Sequence, residues 1–344
     1  MSIITGPRLI QRFLISIALV VSALAISVCF SACSRTDNKP VGPSEKVTMA
    51  CATTTDTVLA EVAQSLGYYH EEGLETTLRP HPYGKPALED LLGGKADFAT
   101  VAETPVMFAI MKGAGISIIA TIQTSSRDNA IIARKDKGIL TIGNLKGKKI
   151  AATLGTSSDF FLDAMLGVHG ISRKDVKVFD LKAEAMPDAL ARGDIDAIST
   201  FNPYLIQAKK RLVDRCIVFY GDDIYTWTFN VVATQEFIRN NPGKVRKVLR
   251  ALVKAEEFVR QKPEEAQKIV ADFSGVEIGI VRDIWADIRF RVSLDQQLLL
   301  ALEDESRWAI KNGLTNATKI PNFLNFIYLD GLESVKPEAV RIVR

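Results

Sequence analysis

Four short stretches of this 344-residue chain gather small hydroxyl and acidic side chains of the kind that hold a ligand: "TTTD" at Thr53–Asp56, "AETP" at Ala102–Pro105, "GTSSD" at Gly155–Asp159 and "FNP" at Phe201–Pro203. Each follows a short apolar run and opens a helix-like segment, so each brings side-chain oxygens beside the unpaired backbone N–H groups of a helix start. This makes Thr54, Thr55, Asp56, Glu103, Thr104, Thr156, Ser157, Ser158 and Asn202 candidate ligand-binding residues. Ordinary N-capping explains such residues equally well at any one turn; four turns of one kind argue for more than caps. Nucleophilic or nucleotide chemistry fits poorly. A phosphate loop needs Gly-Lys-Ser/Thr after its first glycine, and a nucleophile elbow needs glycine two residues beyond its serine, whereas Ser157 is followed by Ser158 and Asp159. His70, His81 and His169 are scattered and Cys51 and Cys216 stand alone, so no metal, cofactor or catalytic residue is assigned.

The elements that must position these turns alternate strand-like and helix-like from Lys46, which predicts an α/β fold with largely parallel sheets. "KVTMACA", "LETTLRP", "DFATV", "ISIIATI", "NAIIAR", "KKIAAT", "VKVFD", "DAIST", "CIVFY" and "TFNVVAT" read as strands. Asp56–Tyr69 reads as a helix with Val58, Leu59, Val62 and Leu66 on one face, and the later part reads as mostly helical, with Pro263 opening a helix. An internal echo is more telling: Leu91, Gly94 and Asp97 recur with the same spacing as Leu190, Gly193 and Asp196. Each set reads as a helix ended by glycine and followed at once by a buried strand, so two lobes of like construction are expected.

"SLGYYHEEGLETTL", "ALEDLLGGKADFATVAETPVMFAIMKG", "NLKGKKIAATLGTSSDFFLDAMLGVHGIS" and "ALARGDIDAISTFNPY" together resemble the periplasmic substrate-binding proteins of ABC importers in the nitrate, sulfonate and taurine group, whose relatives also bind thiamine precursors. The resemblance runs from about Lys46 into the C-terminal helices. It implies a two-lobed periplasmic-binding-protein fold of type II, each lobe a mixed, largely parallel sheet flanked by helices, with two crossing strands as a hinge and the solute bound between the lobes. The order of strands puts residues 46–128 and 230–344 in lobe 1 and residues 129–229 in lobe 2.

Backbone donors alone hold a solute weakly: a micromolar complex needs about 8 kcal/mol, and one helix start contributes up to roughly 2 kcal/mol toward an anion. Near the second crossing Tyr225, Trp227 and Asn230 can pack on and orient a ligand, and Trp227→Ala is expected to weaken binding while leaving the unliganded melting point nearly unchanged. At the first crossing Arg127 suits a sulfonate or carboxylate. Asp56, Glu103, Asp128 and Asp159 lie near the same strand ends, and two of them unpaired in the cleft would repel an anion and favour an amine or a neutral heteroaromatic. A sulfonate- or taurine-like anion is the first expectation, a pyrimidine or other nitrogenous nutrient the second. From other classes, the resemblance includes a pyrimidine synthase that depends on a cysteine-rich motif absent here, and a sensory subunit stays open.

Residues 1–32 have the layout of an export signal: Arg8 and Arg12 precede an uncharged apolar run from Phe13 to Phe30, then Ser31, Ala32 and Cys33. This resembles a bacterial lipoprotein signal cut before Cys33, although Phe30 stands where leucine is usual; an uncleaved anchor is the alternative. Residues 33–45 then form a lipidated tether, which puts the body on the periplasmic or cell-surface face of a bacterial membrane. Forty-three basic against 40 acidic residues, both signs dispersed, exclude a nucleic-acid partner. The expected partners are a small solute and an ABC permease with its cytoplasmic ATPase, and the body is expected to act as a monomer.

Overall fold

The computed structural model describes residues 44–343. The signal at 1–32, the lipidation site Cys33 and most of the tether lie outside them. No helix among the described residues is long and apolar enough to cross a membrane.

Among the described residues twelve strands run in chain order: β1 Glu45–Ala52, β2 Leu74–His81, β3 Phe98–Ala102, β4 Ile116–Ser125, β5 Asn129–Arg134, β6 Lys149–Ala152, β7 Lys177–Asp180, β8 Ala197–Phe201, β9 Cys216–Tyr220, β10 Trp227–Thr234, β11 Arg289–Asp295 and β12 Val340–Arg341. They form a seven-stranded sheet of order β12-β11-β4-β10-β3-β1-β2 and a five-stranded sheet of order β7-β6-β8-β5-β9. Both sheets are mixed. In the first, β1 pairs parallel with β2 and β3, while β10 runs antiparallel between β3 and β4. The second repeats the plan, with β6 parallel to β7 and β8 and β5 antiparallel between β8 and β9. The central antiparallel strand of each sheet, β10 in the first and β5 in the second, is the one that has just arrived from the other sheet. It enters by its N-terminal end at the edge where the parallel strands leave by their C-terminal ends, so Asn129 and Trp227 stand beside Ala52, Ala102, Ala152 and Phe201.

The internal echo has a physical basis. In each copy the glycine after the helix adopts the left-handed conformation that disfavours a Cβ, Gly94 at φ +70° and Gly193 at φ +83°. The aspartate three residues on clamps the parallel ladder: Asp97 Oδ2 accepts from Thr48 N–H at 2.8 Å, and Asp196 Oδ2 accepts from Lys149 N–H at 2.9 Å. Leu91 and Leu190 are buried beneath.

Two segments depart from the sequence reading. The Asp56–Tyr69 helix is split into Val58–Ser65 and Tyr68–Glu71 at Gly67. The mostly helical C-terminal part hides β11, whose "RFRVSLD" pairs antiparallel with β4 against the helix Pro242–Gln261. That helix buries Val245, Val248, Leu249 and Leu252 along one face, with Val253 half-buried at its side. Trp227, Thr228 and Phe229, which the sequence-based bounds put in lobe 2, pair with β4 or β3 in the seven-stranded sheet.

Candidate functional site

The strand ends of the two sheets face each other and are held together by contacts that cross the junction. Lys85 Nζ donates to Leu154 O at 3.0 Å, Tyr204 Oη to Pro82 O at 2.9 Å, and Trp308 Nε1 to Asp163 Oδ2 at 2.8 Å. Lys210 pairs with Glu277 at 2.8 Å, and the rings of Tyr83 and Phe201 lie 6.2 Å apart. The lobes are thus closed on one another. Between them is a cavity of about 20 Å³ walled by Asp56, Tyr83, Lys85, Thr156, Ser157, Phe201, Trp227 and Phe229. That is room for little more than one water at this point of the junction.

The turn at Gly155 forms one wall. Gly155 holds φ +73°, reversing the chain between β6 and the helix Ser157–Val168. Thr156 is the N-cap residue, yet its hydroxyl does not cap the helix; it donates to Thr153 O at 2.6 Å and meets Ser158 Oγ at 3.0 Å. The helix has no side-chain cap; of its first N–H groups, that of Asp159 reaches Thr156 O at 3.1 Å. Ser158 is occupied, its Oγ accepting from Thr153 N–H at 3.2 Å, whereas Ser157 faces the cavity. Asp159 turns away, accepting from Gly155 N–H at 3.0 Å and pairing with Arg173 at 2.8 Å.

On the opposite wall Thr54 Oγ1 donates to Asp56 Oδ2 at 2.6 Å, and Gln123 Nε2 approaches Asp56 Oδ1 at only 3.5 Å. Burial pushes the Asp56 carboxyl up to about 7, the Thr54 hydrogen bond opposing. Asp128, between the crossing strands β4 and β5, is 1 % exposed, and no hydrogen bond of ordinary geometry reaches its carboxylate, the Asn202 side chain and N–H being the groups that come near. Burial and the nearby Asp56 hold its carboxyl well above the ordinary range. Around these acids, Thr55 Oγ1, Gln123 Oε1, both side-chain amide atoms of Asn129, Thr200 Oγ1 and Asn202 Oδ1 are also buried without partners. Leaving a buried polar atom unpaired costs about 1–3 kcal/mol, and folded proteins seldom collect several in one place. These residues come from both sheets and meet at the junction.

Other expected residues are consumed by the scaffold. Glu103 accepts from the Tyr225 hydroxyl and, at 3.0 Å each, from the Thr228 N–H and hydroxyl. Burial still pushes it up to about 7. Thr104 Oγ1 donates to Glu305 Oε1 at 2.6 Å. Asn230 is spent within the sheet, accepting from Thr121 Oγ1 at 2.7 Å and donating to Thr228 Oγ1 at 3.0 Å. Arg127 lies over the Tyr220 ring at 4.3 Å and reaches Asp222 at 3.4 Å and Asp287 at 3.7 Å. Arg127 is absent from the wall of the 20 Å³ cavity, and its Nε is buried without a hydrogen-bond partner. Trp227 lines the cavity but is 2 % exposed and stacks on Phe229 at 5.2 Å. It is therefore core as well as wall, which overturns the expectation that its truncation leaves the unliganded melting point unchanged.

Tyr83, Lys85, Phe201, Phe229, Gln123, Asn129 and Thr200 were not among the sequence candidates. The turn at Tyr83–Lys85 follows the carboxyl end of β2, so the rule that found the other four turns reaches it too.

The family model described as NMT1/THI5 like matches residues 54–266, from the first rim turn into the α-helical C-terminal part. A putative aliphatic sulfonates-binding protein of Bacillus subtilis (strain 168) is 27% identical over 228 residues, 65% of this chain and 68% of that protein. Among solved structures, the periplasmic aliphatic sulphonate binding protein SsuA from Escherichia coli matches with TM-score 0.71 at 20% identity, over 83% of this chain and 98% of that one. The alkanesulfonate-binding protein SsuA from Xanthomonas axonopodis pv. citri, bound to MOPS, matches with TM-score 0.73 at 18% identity, over 83% and 99%. At these identities the likeness establishes the fold, that of two-lobed periplasmic binding proteins.

Proposed function

The chain belongs to the NMT1/THI5-like family, and from that premise we propose that it is the extracytoplasmic solute-binding component of an ABC uptake transporter. It captures a small organic solute between its lobes and releases it, unaltered, to a permease driven by a cytoplasmic ATPase. The observation that carries this reading is the set of buried, unpartnered polar atoms contributed by both lobes at their junction. A guest held there satisfies them, and its binding and lobe closure become one event. In this reading the crossings at 126–128 and 221–226 are the hinge, and lipid on Cys33 keeps the body at the membrane surface.

The names of the relatives favour a sulfonate. The cleft itself is of mixed charge: Asp56 lines the cavity with Asp128 buried beside it, while Lys85 in the wall gives one N–H to Leu154 O and keeps its charge. Histidine and cysteine are missing from the cavity wall, which speaks for capture over chemistry of the kind a cysteine- and histidine-dependent synthase performs.

A thermal-shift panel of sulfonates, nitrate, amino acids, amines and pyrimidines tests the role. A bound solute at 100 times its Kd stabilises by about 2.7 kcal/mol. A rise in Tm with one chemical class supports capture; no shift with any class, or turnover of any member, overturns it.

A further inference from the structure

Resting on solute capture in this cleft, we infer that Lys85 is both partition and ionic anchor. It receives the oxyanion head of an amphipathic guest, a carboxylate or a sulfonate, whose apolar body lies in a second, larger pocket on the other side of this lysine. Space is the first reason. Lys85 and Pro105 wall the cavity of about 20 Å³ and also a pocket of about 350 Å³ at the same lobe junction, so these two side chains stand between the two spaces. The larger one falls within the roughly 300–1,000 Å³ of small-molecule sites. Much of its lining is apolar, from Leu88, Leu92, Phe108 and Leu314 on one lobe and Leu154 on the other, and Leu92 stays 47 % exposed. Of its charged members Asp159 is paired with Arg173 at 2.8 Å, while Glu89 and Lys112 are exposed. Such a floor suits an alkyl or aryl body, each buried methylene tightening binding by up to about fourfold.

The small cavity supplies the partners of the head. Lys85 spends one N–H on Leu154 O at 3.0 Å and keeps two. Ser157 and Trp227 wall the same cavity, each 2 % exposed, and neither the Ser157 hydroxyl nor the Trp227 indole N–H has a hydrogen-bond partner among the described residues. Ammonium and indole groups donate only. The carboxyl of this wall, Asp56, already accepts from Thr54 at 2.6 Å, and burial pushes it up to about 7, so in mildly acidic solution it carries a proton to donate as well. Unpartnered groups outside the wall are mixed, Asn129 Nδ2 and the Thr55 and Thr200 hydroxyls beside the Asp128 oxygens, and favour neither sign. A head with several acceptor oxygens and one negative charge answers the donors of the wall, and its hydrogen bond from Lys85 is of the stronger, charge-assisted kind. Turning from Leu154 O to that head, Lys85 leaves the partition and joins the two spaces.

Isothermal titration at about pH 6 tests body and head separately, with ethane-, butane-, hexane- and octanesulfonate for length, and hexanoate, hexylamine and hexanol beside hexanesulfonate for the head. Affinity should climb by about tenfold or more from ethane- to octanesulfonate, and one of the two six-carbon oxyanions should bind about tenfold or more tightly than the amine and the alcohol. Lys85→Met should weaken that oxyanion by about tenfold or more and leave hexanol within about threefold, while Lys85→Arg keeps most of the affinity. Leu92→Asn, at a half-exposed position, should flatten the length series and leave ethanesulfonate within about twofold. Melting curves check that the variants fold, and the two wild-type series stand without them. Affinity that ignores length, an amine that binds as tightly as the oxyanion, or a folded Lys85→Met with undiminished affinity overturns the inference and leaves solute capture intact. Silence from every probe overturns it as well; capture itself is then judged by the wider panel.

Discussion

Replacing Asp56 by asparagine should stabilise the protein measured without solute. The carboxyl is buried, and its value moves from 3.8 to about 7 on folding. A folded value above the unfolded one means that the native state holds its proton more tightly. The associated penalty is absent below pH 3.8, grows as pH rises, and is complete above about 7. At 1.4 kcal/mol for each tenfold change in proton binding, it amounts to roughly 4 kcal/mol at its limit. Asparagine never ionises, keeps the shape, and retains a carbonyl to accept from Thr54. Urea unfolding of the wild type and Asp56→Asn, followed from pH 4 to pH 8, should show near-equal stability at the acid end. Near pH 8 the variant should lead by about 2–4 kcal/mol, or roughly 5–10 °C in Tm. A variant less stable by the same amount at every pH would refute the reasoning, since it would mean that the carboxylate is already satisfied by the protein and awaits no guest.

Three further outcomes follow from the geometry. Tyr204→Phe deletes only the hydroxyl that joins the lobes at Pro82 O, so solute Kd should rise by about 2- to 10-fold in titration calorimetry with Tm of the empty protein unchanged; a fall in Tm without loss of affinity would assign the bond to the scaffold. Trp227→Ala, which removes a ring 2 % exposed, should cost about 3–5 kcal/mol of stability in urea unfolding, as well as affinity. Arg127→Ala should leave affinity within about twofold and stability within about 1 kcal/mol, because its ion pairs are exposed; a large loss of affinity would restore the arginine as a ligand contact.

What the chain revealed in advance was local. The paired Leu-Gly-Asp spacing announced two like lobes because the glycine turn and the aspartate clamp act within a few residues of each other and of one neighbouring strand. Rim turns were visible for the same reason, as strand ends that run straight into helices. The direction of side chains was not. Arg127 looks like an anion partner until Asp222 and Asp287, 95 and 160 positions away, take it up; Asn230 looks free until Thr121 is brought beside it across β4 and β10. Conversely, Gln123, Asn129 and Thr200 sit in strands where alternation alone makes them seem ordinary. Their importance lies in missing partners, a property that exists only once both sheets have folded against each other.

The most direct test of the central claim is the mass of whatever small molecule the native protein carries. Protein purified from its own cells, denatured and examined by high-resolution mass spectrometry, should release a small organic molecule identical to that supplied in the medium. Release of no such molecule, or of a compound altered during incubation with the protein, would contradict the account.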